Sequence, residues 1–96
     1  MANNFQITLH RKMDNVRLKL RGDFDGMSAM MLICVIKDNY RSAQKIYIDT
    51  GSLNTLLPFG QDVFKKQLSL PQDSLNKLVF IGDYGQLIAP EGVNVG

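Results

Sequence analysis

Two stretches near the amino terminus alternate apolar and polar residues with a period of two. Phe5, Ile7 and Leu9 are interleaved with Gln6, Thr8 and His10, and Val16, Leu18 and Leu20 with Arg17, Lys19 and Arg21. Successive side chains of a strand point to opposite faces, so each stretch has one face to bury and one to leave in water. The polar Lys12-Met13-Asp14-Asn15 between them predicts a hairpin connection, centred on Asp14-Asn15. Such a pair has a basic outer face and an apolar inner face that something must cover.

The cover follows directly. Gly22-Asp23-Phe24-Asp25-Gly26 breaks the strand, Asp25 is placed to cap, and the run from Met27 to about Asn39 is long enough for a helix. Met27, Met30, Met31, Cys34 and Val35 have the spacing of one buried stripe, while Leu32, Ile33 and Ile36 carry the apolar surface further round. A face this wide implies a contact beyond the sheet. Ile46-Tyr47-Ile48 reads as a short strand covered on both faces, punctuated by Asp49-Thr50-Gly51-Ser52. A second helix is predicted with Pro58 in its first turn, a buried stripe of Phe59, Val63, Phe64 and Leu68, and a stop at Leu70-Pro71. Leu78-Val79-Phe80-Ile81 is a strand, and Leu87-Ile88-Ala89 a weak last one. The order β-β-α-β-α-β predicts an α/β fold: a mixed four- or five-stranded sheet with two main helices mainly on one face. One domain over residues 1–96 is expected, with residues 1–4 and 91–96 as frayed ends.

Composition narrows the function classes. The net charge is +2 with acidic residues interspersed among the basic ones, the pattern of a solvated surface rather than of a nucleic-acid footprint. A single cysteine gives no disulfide framework and suits a reducing cytoplasm. The first residues are polar, unlike a signal peptide, and no apolar stretch reaches the roughly 18 residues of a membrane span. We therefore expect a cytoplasmic protein.

Few residues carry chemistry. Asp23 and Asp25 are a close carboxylate pair that can cap and turn the chain or, in an alternative reading, bind a divalent metal or small ligand. His10, the only histidine, has no orienting partner in sequence, and Cys34 lies in an apolar run as a packing residue. Gly82-Asp83-Tyr84-Gly85 is a turn, lacking the lysine and context of a phosphate-binding loop. No enzyme activity and no cofactor are expected.

Three features in register resemble the STAS, or anti-sigma-factor antagonist, family: Leu18-Lys19-Leu20-Arg21-Gly22-Asp23-Phe24-Asp25 ending the hairpin, Ser28-Ala29 opening the helix, and a strand running into Ile48-Asp49. The likeness covers roughly residues 5 to 68; beyond them the family continues with more structure than this shortened C-terminus supplies. The family's regulatory loop, of the form D-[ST]-[ST]-G, opens the second helix. Gly60 falls on its glycine, but Pro58 stands where the phosphorylated serine would be and Leu57 where the preceding aspartate would be. Proline carries no phosphate and so cannot add charge at a helix N-terminus; Thr50, Ser52 and Thr55 are the nearby hydroxyls. The resemblance implies a non-catalytic protein-interaction module of bacterial signalling without the phosphoserine switch. Its docking surface would comprise Thr55, Leu56, Leu57, Pro58, Phe59, Gly60 and Gln61. The partner would be an anti-sigma factor, a switch-kinase type protein or a signalling assembly. The wide apolar first helix leaves a homodimer or a self-assembling subunit as further readings.

Overall fold

The computed structural model describes residues 4–90 and 93–96, excluding the side chain of Asn94. Strand β1 (Gln6–Lys12) and strand β2 (Asn15–Phe24) form the predicted hairpin, with Lys12 opposite Asn15. The turn is therefore Met13-Asp14, one residue earlier than the sequence suggests. Met13 takes the left-handed conformation (φ 56°) that closes so tight a loop. Helix α1 (Gly26–Asn39) crosses back to strand β3 (Lys45–Leu56), which lies parallel to β2. Helix α2 (Pro58–Gln67) and the single turn α3 (Gln72–Leu75) lead to strand β4 (Leu78–Ile81), parallel to β3. A turn α4 (Gly85–Ile88) and strand β5 (Asn94–Val95) complete a five-stranded mixed sheet in the order β1-β2-β3-β4-β5.

Along β2 every second residue is buried, with Val16, Leu18, Leu20 and Phe24 fully enclosed. Ile46, Ile48, Leu78 and Phe80 continue that face across β3 and β4, against Ala29, Leu32, Ile33 and Ile36 of α1 and Phe64 of α2. Phe5, Phe24, Phe64 and Phe80 pack edge to face in a chain, with ring centroids 5.7, 6.3 and 5.8 Å apart. This geometry suits the ring quadrupoles and ties the amino-terminal end of the core to β4 through α2. The other sheet face is not covered by α1 or α2.

Four sequence expectations change. The buried stripe of α1 is the Ala29-Leu32-Ile33-Ile36 side, so Met27, Met30, Met31 and Cys34 are exposed. Both sides satisfy helical spacing, and the compact aliphatic one fits the sheet. Strand β3 does not stop at Asp49: it runs on to Leu56 past register shifts, because Thr50, buried inside it, donates its hydroxyl to Ile81 O at 2.7 Å and accepts the Tyr84 N–H at 3.1 Å. Tyr47 is only half-buried, so the strand is covered on one face. Leu87-Ile88 belongs to the helical turn α4 rather than to a strand.

At the carboxyl end, Asn94 and Val95 pair in parallel with Val79 and Phe80, and the Gly96 N–H donates to Phe80 O at 2.9 Å. They satisfy backbone groups along the free edge of β4 in a tail expected to fray. Residues 1–3 and 91–92 of that expectation lie outside the described residues.

Candidate functional site

The two main helices start side by side. At α1, Asp25 is extended, and its carboxylate accepts the Ser28 N–H at 2.8 Å and the Ser28 hydroxyl at 2.9 Å. This satisfies a donor that the first helical turn leaves without an intrahelical partner. At α2 the cap position is Leu57, which supplies no side-chain hydrogen bond, and Pro58 follows as the first helical residue. Proline suits that position because its missing N–H would have had no partner there. The Leu57 N–H donates to Phe24 O at 3.0 Å, which anchors the start of α2 to the end of β2.

Two glycines set how closely the helices approach. A Cβ on Gly60 would lie 2.7 Å from the backbone of Phe24 and Asp25, so only glycine lets the first turn of α2 rest on the strand-to-helix corner. A Cβ on Gly26 would lie 2.7 Å from the ring of Phe59, so the bare backbone there is the seat for that ring. Phe59 nonetheless remains 70% exposed, beside Met27 at 73%, Met30 at 45% and Leu57 at 43%. Asp25, Gly26, Met27, Met30, Phe59 and Val63 line a shallow apolar depression between the helices.

The expected docking residues divide accordingly. Leu57, Pro58 and Phe59 are on the surface. Thr55 is exposed at the end of β3, and its hydroxyl donates to Asp23 Oδ1 at 2.8 Å. Leu56 is half-buried against the core, Gly60 is buried on Asp25, and Gln61 is half-buried with its N–H on Leu57 O. Phe59 does not join the buried stripe of α2, which Phe64 anchors. Met27 and Met30 belong to the exposed cluster and were missed by sequence reasoning, because their spacing fits a buried stripe equally well. Asp23 and Asp25 make separate bonds, to Thr55 and to Ser28, and the described residues contain no group of three His, Cys, Asp or Glu side chains arranged to hold a metal ion.

No protein-family model and no curated protein matches the sequence. Solved structures do match. One is the anti-sigma-factor antagonist SpoIIAA in its unphosphorylated form, with a TM-score of 0.62 and 12% identity over 96% of this chain and 86% of that one. Another is an uncharacterised DUF3478-family protein of SpoIIAA-like fold from Shewanella loihica, with a TM-score of 0.54 and 12% identity over 100% of this chain and 88% of that one. At this identity the likeness is one of fold: the chain has a STAS-like, SpoIIAA-like α/β fold. Among the described residues no helix is long and apolar enough to cross a membrane.

Proposed function

We propose that the protein is a non-catalytic interaction module of bacterial signalling that docks a protein partner at the paired starts of α1 and α2. The observation that carries this reading is the exposed cluster of Phe59, Met27 and Met30 in the depression between the helices, with Leu57 also exposed at the uncapped start of α2. A ring supported by backbone on one side and bare on the other is the type of anchor that dominates binding energy when a partner covers it. Methionines beside it adapt to the covering surface. The fold shared with an anti-sigma-factor antagonist supports a partner of the anti-sigma-factor or switch-kinase type. With Pro58 and Leu57 in place of a hydroxyl and a carboxylate, binding is constitutive rather than switched by a phosphoserine at that position.

The test is capture from the native host's lysate with wild-type and Phe59→Asp baits, followed by affinity measurement with the purified partner. A signalling protein held by the wild type should bind the variant at least roughly tenfold more weakly, with the variant's fold retained. Equal binding by both baits refutes the assignment. A concentration-dependent dimer that Phe59→Asp abolishes makes a second copy of the chain the partner instead.

A further inference from the structure

The sheet face turned away from α1 and α2 is strongly cationic. Five of the chain's eleven Lys and Arg residues lie between residues 11 and 21, where Asp14 is the only carboxylate. Arg11 turns toward the helix side, where its guanidinium donates to Asn39 and Ser42. Lys12, Arg17, Lys19 and Arg21 share the uncovered face with Asp49, which lies 3.5 Å from the Arg17 guanidinium and opposite Lys19 in the β2–β3 register. Lys12, Lys19 and Arg21 form no ion pair among the described residues.

Beside these cations lies an open strand edge. Among the described residues β1 pairs only with β2, and six of its seven residues are exposed. Along such an edge alternate residues direct their N–H and C=O groups outward, ready for another strand. On the uncovered face Gln6 lies opposite Arg21 and Thr8 opposite Lys19. A strand added to β1 would sit roughly 10 Å from β2, two strand spacings, and the long cationic side chains can lean across the shorter Gln6 and Thr8 to reach it. On the opposite face Ile7 is half-buried and Leu9 is 44% exposed at the margin of the core, leaving apolar surface for the same added strand.

We propose that the β1 edge is a second docking site, which takes an extended acidic segment of a protein as an added strand. Carboxylates at every second position would meet Lys19 and Arg21, and the intervening apolar side chains would cover Ile7 and Leu9. Main-chain pairing supplies the affinity and the alternating side chains the specificity. A peptide backbone matches that row of donors and acceptors, whereas a phosphodiester chain does not. The site lies across the sheet from the docking surface around Phe59 and does not depend on it.

The test is fluorescence anisotropy of the full chain with a labelled decapeptide alternating Glu and Val. Two further versions carry backbone N-methyl groups at the Glu or at the Val positions. Only one set of N–H groups can face β1, so one methylated peptide should lose at least roughly tenfold in affinity while the other still binds. Lys19→Glu/Arg21→Glu should weaken the parent peptide by a similar factor while melting as a folded protein, and Phe59→Asp should leave its binding unchanged. No binding of the parent peptide, the same response to both methylated forms, or tighter binding of an oligothymidylate or of phosphatidylserine vesicles overturns the proposal.

Discussion

The adjoining starts of α1 and α2 solve the same problem in opposite ways. At α1 the free backbone donors meet Asp25, whose carboxylate also holds the Ser28 hydroxyl; at α2 the corresponding place is filled by Leu57 and Pro58, and no side chain caps it. One terminus is closed with polar groups from its own chain. The other is held by packing, with Gly60 on the backbone of Asp25, and keeps its apolar side chains outward. The difference separates residues that maintain the fold from residues free to meet something else. It places Leu57 and Phe59 in the second group although they are neighbours of the first.

That division can be broken at its point of contact. Gly60→Ala drives a methyl group into the backbone of Phe24 and Asp25, which cannot move aside as a side chain tip would. We expect a loss on the order of 1–3 kcal/mol in urea unfolding; an unchanged midpoint would show that the helices do not need this approach. Asp25→Ala removes the cap and should cost about 1 kcal/mol in the same assay, with Asn in its place recovering most of it. Smallest, and opposite in sign, is Leu57→Asp. It supplies the cap that α2 lacks and should raise stability by roughly 0.5–1 kcal/mol while weakening capture of the partner. A variant both more stable and less able to bind would confirm that this terminus is left apolar for docking; a destabilised one would give Leu57 a structural role.

Much of this arrangement is legible in the sequence, and the rest is hidden for identifiable reasons. Alternation marks the hairpin and Asp25 and Pro58 mark the helix starts, because strand pleat and helix termini act on local residue types. Which side of α1 is buried is not local. Two apolar stripes with the same spacing compete, and the sheet selects the one whose aliphatic side chains fill its surface, leaving Met27 and Met30 to join Phe59. The full length of β3 is equally nonlocal: Asp49-Thr50-Gly51-Ser52 has the composition of a turn, and the groups that hold Thr50 in a strand come from Ile81 and Tyr84, some thirty residues away. Leu87-Ile88-Ala89 is too short for periodicity to separate a strand from a helical turn. The identity of the candidate residues around Pro58 was legible from a family likeness; their division into exposed and buried was not.

In the sheet, spatial order repeats chain order without exception, from β1 to β5. No strand has to be inserted between two others already in place. A chain emerging amino terminus first can close the hairpin, lay α1 across it, and then extend the sheet at one margin only, each arriving strand using the template left by the one before. Domains generally fold as units during synthesis, the amino-terminal portion emerging first; here the order of emergence and the order of assembly can coincide. Among the described strands the β1 margin is laid down first, whereas the opposite margin is occupied by each new strand in turn until Asn94 and Val95 arrive.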